Sequence, residues 1–322
     1  MAVYTEVPDD QLRAFVGGYG IGELLSAKGI AEGVENTNYV IETTSGRFIL
    51  TLYEKRVQEA DLPFFLGLVE HLARAGVACP TPLHDVAGRT FSTLCGRPAS
   101  IVTFLDGMWT RRPGVAHCAA VGGALASLHA AAADFPLTRP NALTIGDWPR
   151  LAATAGERAD TVSQGLAAAI AEELGFLGAN WPTDLPFGVI HGDLFPDNVF
   201  FLREKLSGLI DFYFACNDFL AYDVAVCLNA WCFETDGSFN VTKGRALIGA
   251  YAAARPFDAA EIAALPVLAR GSALRFLLTR LVDWLSVPPG ALVKPKDPLE
   301  YLRKLRFHQR VAGARAYGWE GA

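Results

Sequence analysis

The chain has no excess of positive charge: 28 Lys and Arg stand against 34 Asp and Glu, a formal net charge of −6. This argues against a nucleic-acid partner, which would need a basic stripe. The longest basic cluster, Arg303-Lys304 with Arg306, reads as a solvated helix face. The six cysteines (Cys79, Cys95, Cys118, Cys216, Cys227 and Cys232) form no C-x-x-C and no Cys/His set at ligand spacing, so structural zinc is not expected. Several sit in apolar stretches, where a thiol behaves as a small hydrophobe and stays reduced. Residues 1–10 lack a basic region followed by an apolar core, so no signal peptide is expected. No uncharged apolar run reaches the ~18 residues of a membrane span. The most apolar stretch, 219–233, is broken by Asp223 and Asn229. Internal repeats are absent, and low complexity is limited to an Ala-rich stretch at 130–133. What remains is 322 residues, 51% of them hydrophobic, enough to build one large or two modest cores. A soluble, cytoplasmic protein with no membrane partner is the expectation.

One octapeptide stands out, His191-Gly192-Asp193-Leu194-Phe195-Pro196-Asp197-Asn198, followed by Ile210-Asp211-Phe212. This is the H-x-D-x-x-x-x-N loop and later D-F of kinase-type phosphotransferases. The chemistry explains the spacing. ATP-dependent phosphoryl transfer needs a carboxylate to accept the proton of the acceptor hydroxyl, and oxygen ligands to hold Mg²⁺ against the nucleotide phosphates. Asp193 is the candidate for the first task, Asn198 and Asp211 for the second. Asp and Asn also favour ordinary turns, but an octapeptide and a spaced Asp-Phe, each after an apolar run, make a specific combination. His191 reads as a brace of the loop rather than as the base.

The organisation suits such a site. Residues 38–43 and 47–53 are β-rich runs around Thr44-Ser45-Gly46, a hairpin. Residues 58–74 carry Leu62, Phe65, Leu66, Val69, Leu72 and Ala73 at helical spacing. Gly76 ends that helix and Pro80-Thr81-Pro82 prevents its restart. Strands are expected at 90–94 and 99–104, then a hinge at Leu105-Asp106-Gly107. After the hinge, helices are predicted at 115–132, within 152–177, and at 220–233, 242–253, 259–287 and 298–316. Residues 187–190 read as a strand before the catalytic loop, and 199–202 with 206–210 as a hairpin after it. The fold class is therefore α+β and bilobal, protein-kinase-like. Residues 1–104 form a small sheet lobe with one helix, which binds nucleotide. Residues 105–322 form a large, mostly helical lobe, which carries the catalytic and substrate sites.

The H-G-D-L-x-x-x-N loop with I-D-F resembles the aminoglycoside-phosphotransferase and choline-kinase-like family of small-molecule kinases. Gly192 stands where protein kinases commonly have Arg, and no A-P-E-like segment follows Asp211. Within the family, residues 29–39, Phe48-Ile49-Leu50-Thr51-Leu52-Tyr53-Glu54, Asp61-Leu62-Pro63-Phe64-Phe65 and residues 274–281 resemble the branch that phosphorylates homoserine in bacterial threonine biosynthesis. The resemblance runs over almost the whole chain. It implies ATP and Mg²⁺ as cofactors and L-homoserine as the small-molecule partner.

Two departures bear on the nucleotide site. The phosphate loop lacks G-x-G-x-x-G: Gly29 and Gly33 are spaced more widely, and Asn36, Thr37 and Asn38 stand at its tip. Such a loop still offers backbone N–H groups and amides to phosphate oxygens; the alternative is an ordinary polar turn before a strand. Thr51 occupies the position from which a V-A-I-K-type lysine would reach the phosphates. Lys55 lies about 13 Å further along an extended strand, so it is no simple substitute, and Glu59 is not assigned as its partner. On the acceptor side, a carboxylate is best held by an Arg fork. Arg275 and Arg280, in an apolar helix, are the candidates for it, with structural ion pairs as the alternative; Asp218 and Asp223 are further acceptor-site candidates, and Asp223, set in an apolar helix, reads rather as a brace of the loop. A choline-type acceptor would want an aromatic cage, for which Trp109, Trp231 and Trp284 are available. An aminoglycoside would want an acidic cluster, and none is seen in the C-terminal helices. A non-catalytic nucleotide-binding regulator is favoured by Thr51 and opposed by the intact Asp193, Asn198 and Asp211.

Overall fold

A computed structural model describes residues 5–30, 36–54, 57–287 and 295–321. The first lobe opens with a helix that apolar spacing alone does not isolate, α1 (Asp9–Gly17). Five antiparallel strands follow in chain order: β1 (Leu24–Gly29), β2 (Thr37–Thr43), β3 (Gly46–Leu52), β4 (Ser92–Leu94) and β5 (Arg97–Thr103). Their order in the sheet is β1-β2-β3-β5-β4. The expected β2–β3 hairpin turns through Thr44 and Ser45, with Thr43 opposite Gly46. Alternation sorts the two faces of the sheet. Ile41, Leu50, Leu52, Ala99 and Ile101 point to one side, where they pack with Leu12 and Val16 of α1. Asn38, Thr51 and Ser100, register neighbours across β2, β3 and β5, share the other side, which looks toward the rest of the molecule.

Between β3 and β4 lies α2 (Leu62–Arg74), entered through Pro63 in its first turn and left through Gly76 at φ 86°. Proline suits the first turn, because an N–H there has no helical partner to lose. The apolar face predicted for α2 is buried, but not mainly under the sheet. Phe64, Phe65, Leu68 and Leu72 belong to the large core of the second lobe. Only Leu62 and Leu66 turn to Tyr53 at the end of β3.

The second lobe runs α3 (Val115–Ala131), α4 (Trp148–Ala155), α5 (Leu166–Asn180), β6 (Phe187–Ile190), β7 (Val199–Leu202), β8 (Lys205–Leu209), β9 (Cys216–Phe219), α6 (Leu220–Trp231), α7 (Val241–Ala254), α8 (Ala259–Ser286) and α9 (Pro298–His308). β7 and β8 form the expected hairpin, and β6 pairs with β9 antiparallel. Met108, just past Leu105-Asp106-Gly107, exchanges two backbone hydrogen bonds of 2.9 Å with Phe201, so this stretch is stitched to β7. A capping box starts α8: Asp258 accepts the Glu261 N–H at 2.7 Å, and Glu261 returns the bond at 3.0 Å. By length and composition α8 would pass as a membrane span, but 67% of its apolar window is buried inside the protein, as befits a core helix. In the basic cluster on α9, Arg303 and Arg306 are exposed as expected, but Lys304 is not. Lys304 is buried; its Nζ donates to the Asn229 carbonyl at 2.9 Å and pairs with Glu300 at 2.7 Å.

Candidate active site

The loop after β6 is held by its backbone. Asp223, fully buried in α6, accepts the N–H of His191 at 2.7 Å and of Gly192 at 3.0 Å. The Gly192 carbonyl accepts Arg275 Nη1 at 2.5 Å, and the Leu194 carbonyl accepts Trp231 Nε1 at 2.7 Å. Asn198 Nδ2 donates to the Asp193 carbonyl at 2.8 Å. Gly192 has φ 72°, and a Cβ there would stand 3.0 Å from the Phe214 carbonyl oxygen. Positive φ next to a close backbone is glycine's territory.

His191 is fully buried and fixed at both nitrogens. Nε2 faces the Ile210 carbonyl at 3.0 Å, so it carries the proton, while Nδ1 accepts the Asp193 N–H at 3.3 Å. Burial lowers its pKa and keeps the ring neutral. It braces the loop, as its place in the sequence suggests. Behind it, His129 bonds Asp223 at 3.1 Å and Tyr251 at 2.8 Å. Burial acts to raise the Asp223 pKa, but its hydrogen bonds from His129 and the loop N–H groups, with the nearby imidazoles, leave it lowered overall.

Asp193, Asn198 and Asp211 are brought together. Asn198 Nδ2 faces the Asp193 carboxylate at 3.3 Å as well as its carbonyl. Both partners are acceptors, so the amide orientation is fixed and Oδ1 is turned away from Asp193. Ile210 N–H donates to the Asn198 carbonyl at 3.0 Å, which sets Asp211 beside it. Asp211 adopts φ 64°, left-handed for a residue with a side chain, and heads the 3₁₀ turn Phe212–Phe214. Burial pushes the Asp193 carboxyl up to about 8; Arg275 opposes the shift and Asp211 adds to it.

The nucleotide candidates are engaged with the protein. Gly33, like Lys55, lies outside the described residues. Asn36 Oδ1 accepts the Glu54 N–H at 3.2 Å, and Thr37 Oγ1 donates to the Glu54 carboxylate at 2.9 Å. Thr51 Oγ1 donates to Asn38 Oδ1 at 2.8 Å. These side chains brace the start of β2 and the end of β3.

The two arginines of α8 part company. Arg275 lies beneath the 191–198 loop, with its guanidinium 4.5 Å from the Phe276 ring and its Nε without a hydrogen-bond partner among the described residues. The hydroxyls of Tyr222 and Tyr301 are likewise buried without partners. Tyr222 and Tyr301 both feel the charge of Arg275. Arg280 is committed to Glu300 at 2.7 Å and to the Asp297 carbonyl at 3.3 Å, the structural ion pair that was the alternative for it. Asp218 accepts Asn141 Nδ2 at 2.6 Å and the Phe219 N–H at 2.7 Å, and its pKa is raised by burial. Spacing does not single out His129, Trp231 or Tyr213 as parts of this region. Their one sequence signal is a polar atom in an apolar run.

A small sheet, a helical lobe and this loop define a small-molecule phosphotransferase of the kinase type. The phosphotransferase enzyme family model matches residues 26–257. The homoserine kinase of Methylobacterium sp. (strain 4-46) is 66% identical over 319 residues, covering 99% of each chain. That of Bradyrhizobium sp. (strain BTAi1) is 65% identical, covering all of this chain and 99% of the other. Among solved structures, an amicoumacin kinase in complex with AMP-PNP, Ca²⁺ and Ami superposes with a TM-score of 0.70 at 14% identity, over 94% of this chain and 92% of that one. A microcompartment-associated aminopropanol kinase gives 0.68 at 16%, over 94% and 97%. The chain belongs to this phosphotransferase family, within its group of homoserine kinases.

Proposed function

We propose that the protein transfers the γ-phosphoryl group of ATP to the hydroxyl of L-homoserine, giving O-phospho-L-homoserine and ADP. The observation that carries this reading is the pairing of Asp193 with Asn198 beside Asp211, in a chain two-thirds identical to homoserine kinases. In this reading Asp193 takes the proton from the attacking hydroxyl and orients it. His191, Asp223 and Arg275 fix the loop so that Asp193 is pre-positioned.

Asn198 and Asp211 fit a hard divalent cation. Their donors are oxygens, the Asn198 amide is turned so that Oδ1 is free of Asp193, and the described residues contain no larger His/Cys/Asp/Glu cluster that would cage a metal without phosphate. Mg²⁺ held there would neutralise phosphate charge during transfer. The sheet lobe, which we bound at residue 104, covers the nucleotide; residues 105–322 carry the acceptor. Arg275 is the better candidate for the homoserine carboxylate, because its Nε and the neighbouring Tyr222 and Tyr301 hydroxyls are buried with no hydrogen-bond partner among the described residues, and such groups call for a polar ligand. A cytoplasmic location suits a biosynthetic kinase of this kind.

The test is ADP release over a panel of L-homoserine, L-serine, 3-aminopropan-1-ol, choline and an aminoglycoside, with ATP and Mg²⁺. L-Homoserine should be preferred. Equal turnover of 3-aminopropan-1-ol would make the protein an amino-alcohol kinase of the same fold.

A further inference from the structure

Thr51 leaves the sheet lobe without the lysine that would reach from β3 to the phosphates, yet its side chain is not idle. Thr51 and Ser100 are direct cross-strand neighbours, and Tyr53 follows two residues on, so all three project from the same face of the sheet. Tyr53 and Ser100 share a hydrogen bond of 2.8 Å, and Tyr53 meets the hydroxyl of Tyr213 at 3.2 Å. Thr51 stands beside that same Tyr213 hydroxyl. Tyr213 belongs to the other lobe, in the 3₁₀ turn that Asp211 heads. The two phenol rings meet edge to face with centroids 5.3 Å apart, and Phe65 of α2 closes on Tyr213 at 5.8 Å. Tyr53, Ser100 and Thr51 are all buried, 4% exposed or less. A polar group sequestered this far is expensive unless it is paired, so the cluster strongly prefers one arrangement.

We propose that this hydroxyl clasp, Thr51, Ser100 and Tyr53 on the sheet with Tyr213 behind Asp211, is the positioning device that sets Asp211 and the closed spacing of the lobes, in the place where other kinases use a β3 lysine. Asp211 is held at a left-handed φ of 64°, a conformation that persists only when its surroundings over-determine it. Tyr213, two residues away and anchored to the opposite lobe, supplies that constraint. Tyr213 is a positioning residue: it acts on nucleotide and metal through Asp211.

The inference rests on the kinase reading, so its test uses nucleotide binding in the absence of acceptor. Tyr213→Phe keeps the ring and removes the hydroxyl; Tyr53→Phe and Thr51→Val are the companion variants. Calorimetric titration with ATP and Mg²⁺ should show affinity weakened roughly 3- to 10-fold, the weight of one hydrogen bond. The Mg²⁺ concentration for half-maximal turnover should rise by a similar factor and the thermal midpoint should fall slightly, as a buried hydroxyl loses its partner, while KM for L-homoserine stays near wild type. In the Tyr53→Phe, Tyr213→Phe cycle the two losses should fall short of additive, as expected of partners. If the variants bind ATP with Mg²⁺ as the wild type does, or lose homoserine affinity and thermal stability in equal measure, the clasp is only packing and the inference fails. If the wild type itself binds no ATP with Mg²⁺, it is the kinase reading that fails.

Discussion

Asp223 accepts the backbone N–H groups of both His191 and Gly192 through its two oxygens, at 2.7 and 3.0 Å. A neutral amide cannot match that geometry, because one oxygen becomes a donor facing a donor. Asp223→Asn should therefore lower kcat by about 10- to 10³-fold by letting the loop relax. It should also destabilise the fold by about 1–3 kcal/mol, the cost of leaving a buried donor unpaired. Steady-state kinetics and urea unfolding on one preparation check both. A variant with normal kcat would show that the loop holds its shape without Asp223.

Asp193→Asn keeps the shape of the loop and removes the carboxylate proposed as the base. Turnover should fall by roughly 10²- to 10⁴-fold, while calorimetry still reports ATP binding. Near-normal turnover would take Asp193 out of the mechanism.

Arg275 and Arg280 sit five positions apart on α8 but have different surroundings. Arg275→Ala should erase most of the preference for L-homoserine over 3-aminopropan-1-ol, a difference of about 2–5 kcal/mol for a desolvated carboxylate that loses its partner. Arg280→Ala should leave that preference alone and lower stability modestly, since Glu300 loses one of its two cationic partners and keeps Lys304. The ratio of kcat/KM for the two acceptors decides; a preference that survives in Arg275→Ala would place the carboxylate elsewhere.

His308 is buried between Asn229 at 3.0 Å and the Tyr317 hydroxyl at 2.8 Å. Burial, with the positive charges of Lys304 and Arg270, pushes its pKa down to about 3. In the unfolded chain the same group titrates near 6.5. Between those values the unfolded state binds the extra proton, so this contribution is complete above about pH 6.5 and is lost progressively as pH falls toward 3. His308→Gln should be less stable than wild type at pH 8, and the gap should narrow toward pH 5. Thermal midpoints across that range test it. A gap that stays constant would mean His308 does not titrate differently in the two states.

The meeting of Asp193 with Asn198 was legible because phosphoryl transfer, the chemistry proposed for them, demands polar groups at fixed short spacing, and theirs is set within one octapeptide. The β2–β3 hairpin and α2 were legible for a similar reason, since turn chemistry and period act locally. Where partners are distant, the sequence is quiet. β9 gains its identity only by pairing Phe219 with Phe187. α1 depends on a sheet face that forms later in the chain. Lys304 reads as a surface charge until Asn229 and Glu300 are seen around it. The fates of Arg275 and Arg280 diverge only through contacts with the Gly192 carbonyl and with α9. Asp223 was the exception, because a carboxylate in so apolar a helix has to be satisfied by something nearby.

The packing of α2 also bears on how the chain divides. Phe64, Phe65, Leu68 and Leu72 complete the core of the helical lobe rather than that of the sheet. A fragment ending at residue 104 would carry those four side chains away and leave them in water, at roughly 1.5–3 kcal/mol each. The remaining fragment would lose the cover that Phe64 and Phe65 give to Phe135 and Tyr213. The total rivals the whole stability of an ordinary domain. The two lobes are thus halves of a single cooperative folding unit, and neither expressed alone should give a sharp unfolding transition.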